Sequence, residues 1–285
     1  MSKITAIVTG GAGFIGGHLV DKLIENDHKV YIIDNLSTGN IKNVNKEAIF
    51  IEQDIREDLT NLAVKPDIIY HIAALPRIQP SFVTPYESLS SNCNGTVRVL
   101  ELARKHKAKI VYAGSSSFYF DVYANPYAHS KWIGEEHCRL YNRVYGLSVG
   151  IARFFNVYGP RQVQDHAFST VIGIFERQKK SGEPLTVTGT GEQRRDFTHV
   201  FDIVDGLTAI GKNNWNSEIF NLGRAKNYSV NEVAKMYNQE IKYIPARPGE
   251  AGDTLADISF SKDKLGWTPT RNLPDYVEEF IKGLK

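Results

Sequence analysis

The strongest constraint on this chain lies at its beginning. The apolar, β-branched run Ile4-Thr5-Ala6-Ile7-Val8 passes straight into Thr9-Gly10-Gly11-Ala12-Gly13-Phe14-Ile15-Gly16, and a helical pattern follows from Phe14 to Glu25. A strand that enters a helix through glycines three apart has a narrow set of uses. Glycine permits the tight turn and lets helix and sheet approach closely, while the new helix offers unpaired N–H groups to an anion. Taken alone the spacing is a weak signal, because a purely structural turn can carry it.

The pattern repeats along the chain. Short apolar segments at Val30 to Ile33, Ile49 to Ile51, Ile68 to Ala73, Lys109 to Ala113, Ser148 to Phe155 and Ile219 to Leu222 alternate with helical segments such as Asn94 to His106 and Ser130 to Tyr145. Buried strands alternating with helices predict an α/β fold, a doubly wound parallel sheet. Beyond Phe155 the breakers Tyr158-Gly159-Pro160, Gly182-Glu183-Pro184 and Gly189-Thr190-Gly191 predict a smaller C-terminal lobe. The expected division is a main domain over 1–160, rejoined by about 196–224, with the lobe formed by 161–195 and 225–285.

Charge and composition exclude several classes. Lys and Arg number 34 against 32 Asp and Glu, a net charge of +2, and like charges form no long run, which argues against nucleic-acid or membrane-surface partners. The two cysteines, Cys93 and Cys138, lack metal-ligand or disulfide spacing, so no metal is expected and both read as helix-packing residues. No apolar stretch is long enough to span a bilayer, and the strand at the N-terminus leaves no room for a cleaved leader. A soluble protein of the reducing cytoplasm is expected.

The second strand ends in Asp34, 18 residues past Gly16. A carboxylate there can accept hydrogen bonds from an adenosine ribose and repel a 2′-phosphate, which favours NAD over NADP. The plainer reading makes Asp34 the start of the turn Asp34-Asn35-Leu36-Ser37. Asp54 follows the third strand and Ala73-Ala74 the fourth, at the carboxyl edge where open α/β sheets bind ligands; Asp54 reads equally well as a solvated turn residue.

Tyr127-Ala128-His129-Ser130-Lys131 puts a phenol and an ammonium one helical turn apart on one face. A nearby cation favours the phenolate of a tyrosine, turning a poor base into a usable one. Such pairs occur by chance in many helices. Company raises the value of this one: the fifth strand delivers Gly114-Ser115-Ser116-Ser117-Phe118-Tyr119 to the same edge, and a hydroxyl there can bind a reacting alcohol, although serine clusters more often form turns.

With these segments in order, together with Asn92-Cys93-Asn94-Gly95-Thr96, Arg153-Phe154-Phe155-Asn156-Val157-Tyr158-Gly159-Pro160-Arg161, Arg195-Asp196-Phe197-Thr198-His199-Val200, Arg247-Pro248-Gly249-Glu250 and Leu265-Gly266-Trp267, the chain resembles the extended short-chain dehydrogenase/reductases, above all the UDP-sugar 4-epimerases. The resemblance implies Tyr127 as base, Lys131 on the cofactor ribose and Ser115 on the reacting hydroxyl. NAD would be held by Gly10, Gly13, Phe14, Ile15, Gly16, Asp34, Asn35, Ser37, Gly39, Asp54, Ile55, Ala73, Ala74 and Asn92, with Tyr127 and Lys131. A nucleotide sugar would meet Arg77, Ser115, Ser116, Asn156, Arg195, Arg247, Asp253 and Thr254. A homodimer through the helices around 94–106 and 130–145 is implied as well.

Two departures bear on the reaction. Only 11 residues separate Ser115 from Tyr127, fewer than is usual in the family, and this alters the sugar pocket. Related dehydratases carry Asp-Glu after the hydroxyl residue, and related decarboxylases a glutamate, where this chain has Ser116 and Ser117. What remains is reversible oxidation at C4. The expected activity is 4-epimerisation of a UDP-hexose, with UDP-N-acetylglucosamine used at least as well as UDP-glucose; a 4-keto reductase, a UDP-glucuronate 4-epimerase and a non-catalytic NAD-binding regulator are the alternatives.

Overall fold

The computed structural model describes residues 3–164, 168–249 and 252–284; Glu250, quoted above within a motif, lies outside them. Its centre is a parallel sheet of β1 (Thr5–Thr9), β2 (Lys29–Asp34), β3 (Ile49–Glu52), β4 (Ile68–His71), β5 (Lys109–Ser115), β6 (Val149–Phe154) and β7 (Asn216–Leu222). The spatial order is β7-β6-β5-β4-β1-β2-β3. The chain therefore winds outward from β1 to β3, then returns to the other side of β1 with β4. Between β1 and β4 the winding direction reverses, and such a switch point opens a crevice at the strands' carboxyl ends.

Alternate residues feed opposite layers, as strand geometry dictates. Ala6 and Val8 face a cluster built from α1 (Phe14–Glu25), while Ile7 faces the cluster that contains Val99 and Leu100. All three are fully buried, which is why β1 reads as a continuous apolar run. On the α1 side, α7 (Val200–Gly211) adds Ile203, Val204 and Leu207; the opposite layer consists of α4 (Gly95–His106) and α5 (Pro126–Tyr145). The short α2 (Ile78–Val83) and α3 (Pro85–Leu89) bridge from β4 to α4, and α6 (Val171–Ser181) lies beyond the sheet.

A third apolar cluster gathers Phe175 of α6, Leu185, Val187, Val233, Tyr237 and Val277. Segment 194–199 does not enter the main sheet. Arg194–Asp196 pairs with Asn227–Ser229 and Thr198–His199 with Val157–Tyr158, so the return to the sheet is made by α7 packing on it and by β7. Helix α5 begins four residues earlier than its apolar pattern suggests, because Asn125 caps it by accepting from the Ala128 N–H and Pro126 occupies its first turn. Tyr127 thereby sits in the first turn of a helix. No helix among the described residues is long and apolar enough to cross a membrane.

Candidate active site

A cleft of about 450 Å³ runs along the carboxyl edge of the sheet across the switch point. Its floor is the glycine turn. Gly10 has φ +73°, and a Cβ there would stand 2.8 Å from the Ala73 backbone on the neighbouring strand's extension; a Cβ on Gly16 would stand 2.1 Å from the Gly10 carbonyl oxygen. The turn therefore takes no larger residue, and it leaves the start of α1 bare: Gly13 caps the helix without a side-chain acceptor, so its first N–H groups stay available to an anion. Gly10, Gly13, Phe14, Ile15 and Gly16 all line the cleft.

At one end stand Asp34, Asn35, Ser37 and Ile55. Asp34 Oδ2 accepts the Ala12 N–H at 3.0 Å and Oδ1 the Leu36 N–H at 2.9 Å, which fixes the carboxylate and leaves further lone pairs directed elsewhere. Burial raises its pKa, with these two hydrogen bonds opposing. Gly39 packs beneath it, since a Cβ there would lie 2.9 Å from Asp34 Oδ1. The Asp54 side chain does not reach the cleft wall. Arg56 Nε and Nη2 and Asn35 Nδ2 all donate to its carboxylate, and the Arg56 hydrogen bonds hold its pKa down at about 2. Arg56 itself lines the cleft and pairs with Glu87 at 2.6 Å.

The other end is walled by Ala73, Ala74, Arg77, Tyr127 and Lys131. Lys131 is almost wholly buried and lies 4.5 Å from the centre of the Tyr112 ring. Burial lowers its pKa to about 8, and the carboxylate of Glu135, one turn further along α5, opposes the fall. Arg77 donates from Nε to the Phe168 carbonyl at 2.9 Å. Ser115 closes β5 next to Gly114 of the wall; its Oγ accepts from the N–H and the hydroxyl of Ser117 at 3.2 and 2.8 Å, so its own proton remains to be donated. Asn92 stands behind the wall, buried, with its amide on Leu75 and Ser130.

Four of the remaining expected residues gather beyond β6 and do not themselves line the cleft. Asn156 Nδ2 donates to the Asp196 carbonyl and to Thr254 Oγ1, at 3.2 and 3.3 Å. Arg195 donates to the carbonyls of Arg194 and Gly252, and Asp253 Oδ1 accepts the Arg194 N–H. Asn156, Arg195, Asp253 and Thr254 thus form one cluster around the strand at 194–196. Arg247 lies on a separate segment that Gln79 and the cap Asn125 hold through the carbonyls of Pro248 and Gly249. Ser116 follows Ser115 on the short turn at the end of β5.

Several wall residues escape sequence reading: Arg56, next to Ile55, and Glu87, Val163 and Phe168, which reach the cleft only through tertiary contacts. Arg56 had a faint local signal, the i, i+2 turn in which Asp54 accepts its N–H.

The cleft has what a dinucleotide requires: glycine backbone and a bare helix start for a pyrophosphate, a fixed carboxylate after β2 for a ribose, and a buried cation beside a phenol at the far end. Among the described residues no cluster could hold a metal ion.

Comparison with known proteins agrees. A protein of Methanocaldococcus jannaschii that bears the provisional name UDP-glucose 4-epimerase is 38% identical, over 98% of each chain. UDP-glucuronic acid decarboxylase 3 of Arabidopsis thaliana is 35% identical, over 96% of this chain and 88% of its own length. Among solved structures, the UDP-glucose 4-epimerase of Thermotoga maritima with UDP-glucose superposes with a TM-score of 0.91 at 32% identity, covering 99% and 100% of the two chains. The UDP-glucuronic acid 4-epimerase of Bacillus cereus, in complex with UDP-glucuronic acid and NAD, gives 0.89 at 31% identity over 99% and 100%. The model of the NAD dependent epimerase/dehydratase family matches residues 6–223, and the chain is a member of that family, with NAD as its cofactor.

Proposed function

We propose that the protein is a nucleotide-sugar 4-epimerase acting on a UDP-hexose. The observation that carries this reading is the meeting of Tyr127 and Lys131 at one end of the cleft, with Ser115 presenting a free hydroxyl proton at the carboxyl end of the neighbouring β5. Bound NAD supplies a hydride acceptor and donor that emerges unchanged. Tyr127 takes the proton of the sugar 4-hydroxyl and later returns it, while the Ser115 hydroxyl donates to the same oxygen and stabilises charge there. Lys131 holds the cofactor ribose and sustains the phenolate. The sugar turns over as a free 4-ketone between the two transfers.

The glycines from Gly10 to Gly16, with Phe14 and Ile15, cradle the pyrophosphate, Asp34 binds the ribose, and Asn35, Ser37, Gly39, Ile55, Ala73 and Ala74 border the cofactor. The cluster of Asn156, Arg195, Asp253 and Thr254, with Arg247, takes the UDP diphosphate and sugar, a task suited to guanidinium forks. The small Thr254 leaves space for a 2-N-acetyl group, so UDP-N-acetylglucosamine is used at least as well as UDP-glucose.

Ser117 favours this reaction over decarboxylation or dehydration. Its hydroxyl is engaged by Ser115, and neither Ser116 nor Ser117 offers a carboxylate to move protons at other carbons. A homodimer belongs to the same reading, because α5 turns Leu140, Val144 and Tyr145 outward. The test is product analysis by NMR after incubation with UDP-N-acetylglucosamine, UDP-glucose and UDP-glucuronate, using the Tyr127→Phe variant as control. Loss of about 10² to 10⁴ in rate is expected of the variant. Full activity in a folded Tyr127→Phe protein refutes the assignment.

A further inference from the structure

Behind the reacting groups, outside the cleft lining, Glu135 of α5 and Arg153 of β6 form an ion pair at 1% and 2% side-chain exposure. Arg153 Nη2 and Nε donate to the two carboxylate oxygens at 2.6 and 3.0 Å. Gly114 makes the room, since a Cβ there would stand 2.8 Å from Glu135 Oε1. Pairs this deeply buried are weak sources of stability, because desolvation of two charges offsets their attraction. Its neighbours give the pair another use.

On one side, Glu135 follows Lys131 by one turn of α5 and acts on it electrostatically. On the other, the flat guanidinium of Arg153 lies 3.5 Å from the Phe118 ring centre and 4.9 Å from that of Tyr119, on the turn that starts at Ser115. Tyr119 is held further by its hydroxyl on Asn221, at 2.8 Å, and by stacking on Phe155.

We propose that the Glu135–Arg153 pair is a shared positioning device: its carboxylate supplies the counter-charge of Lys131, and its guanidinium fixes the turn from which Ser115 presents its hydroxyl. The inference rests on the reading of Lys131 and Ser115 given above.

The surroundings of Lys131 single out Glu135. His71 on β4 is held neutral by burial and the Lys131 charge; burial also raises the pKa of the Cys93 and Cys138 thiols and the Tyr112 phenol. Tyr127 shares the helix face. Glu135 is thus the carboxylate that acts on Lys131 among the described residues, and Arg139 approaches it from solvent at 3.7 Å.

Two measurements separate this role from packing. In the cofactor-free protein, the Lys131 side chain is titrated by NMR with labelled lysine, and NAD affinity is followed over the same pH range. Glu135→Gln should shift the titration down by about one pH unit and weaken NAD above neutrality but not below. The double variant Glu135→Gln with Arg153→Met, which leaves no unpaired Arg153 charge, should shift the same way and covers a failure of the single variant to fold. Arg153→Lys should leave the titration in place but lower kcat with UDP-glucose about tenfold at unchanged KM. A Lys131 titration that matches wild type in the double variant, or full kcat in Arg153→Lys, overturns the proposal. Because titration and NAD binding need no turnover, a wrong substrate assignment leaves them readable.

Discussion

Leu75 and Asn92 hold each other through two hydrogen bonds: the Leu75 N–H donates to Asn92 Oδ1 at 2.8 Å, and Asn92 Nδ2 donates to the Leu75 carbonyl at 3.1 Å. The same amide donates to Ser130 Oγ at 2.9 Å, and the Ser130 hydroxyl donates to the Tyr127 carbonyl at 2.8 Å. One buried side chain thereby joins the cleft wall after β4 to the first turn of α5. Asn92→Leu keeps the branched outline but leaves the Leu75 N–H and carbonyl without partners, each costing about 1 to 3 kcal/mol. A loss of about 3 kcal/mol in urea unfolding is expected, with weaker NAD binding alongside, since Leu75 borders the cleft.

The neighbouring His71 predicts how acid acts on the fold. Thr9 Oγ1 accepts the Ala73 N–H and lies 2.7 Å from His71 Nδ1, to which it donates when Nε2 carries the ring proton. Thr96 donates to the Asn92 carbonyl at 2.6 Å, so His71 Nε2 must donate to Thr96 at 3.0 Å. The ring is held in its neutral Nε2–H form, and a second proton would break the hydrogen bond that Nδ1 accepts from Thr9. Burial, then the Lys131 charge, lower its pKa to about 3. The unfolded chain takes up this proton near its ordinary pKa and the folded chain does not, so stability falls as pH drops from about 6.5 towards 3. At pH 5 the loss is about 2 kcal/mol. Urea midpoints at pH 7 and pH 5 check it, and the difference should shrink in His71→Asn.

What could be read from the sequence is what is local. Gly10, Gly13, Gly16, Asp34, Tyr127 and Lys131 line the cleft as their spacing implied, because a turn, a strand end and one helix face are set by near neighbours in the chain. The inner strands of the main sheet were legible for the same reason: the buried runs of β1, β4, β5 and β6 leave no polar alternation to misread. Asp54 shows the limit. Whether its carboxylate faced solvent or ligand depended on Arg56, whose guanidinium is in turn shared with Glu87 from 31 residues away. Phe168 is held by Arg77 across 91 residues, a contact with no periodic signature. The early start of α5 was visible in Asn125-Pro126 as a cap and first-turn proline, but the apolar pattern begins later and hid it.

Lys131 carries a further prediction, opposite in sign for stability and activity. With its pKa lowered to about 8 in the fold against an ordinary value near 10.5, the cation is disfavoured by the folded state. The unfolded chain holds the proton more tightly at neutral pH, and this costs stability of about 3 kcal/mol that is regained only as pH rises beyond 8 towards the ordinary lysine value. Lys131→Met, which keeps the packing against Tyr112, should therefore be at least as stable as wild type at pH 7 while losing turnover and NAD affinity. Thermal unfolding and NAD titration on one preparation check both halves.

Arg77 combines a strained backbone with a charge at the cleft. Its φ of +84° and ψ of 140° lie in a region open chiefly to glycine, yet the position carries a large side chain whose Nε holds the Phe168 carbonyl. Burial lowers the guanidinium's pKa, and the nearby Tyr127 opposes this. A cation so placed would favour an acidic or acetamido substituent on a sugar bound beside it. Arg77→Ala and Arg77→Gly should each lower kcat/KM for UDP-glucuronate relative to UDP-N-acetylglucosamine, by about tenfold, because both remove the charge. Their stabilities should differ: alanine keeps the strain and glycine releases it, so the glycine variant unfolds at higher urea, by about 1 kcal/mol. Equal stabilities would mean the backbone relaxes once the guanidinium is gone, and an unchanged substrate ratio would place the sugar out of reach of this side chain.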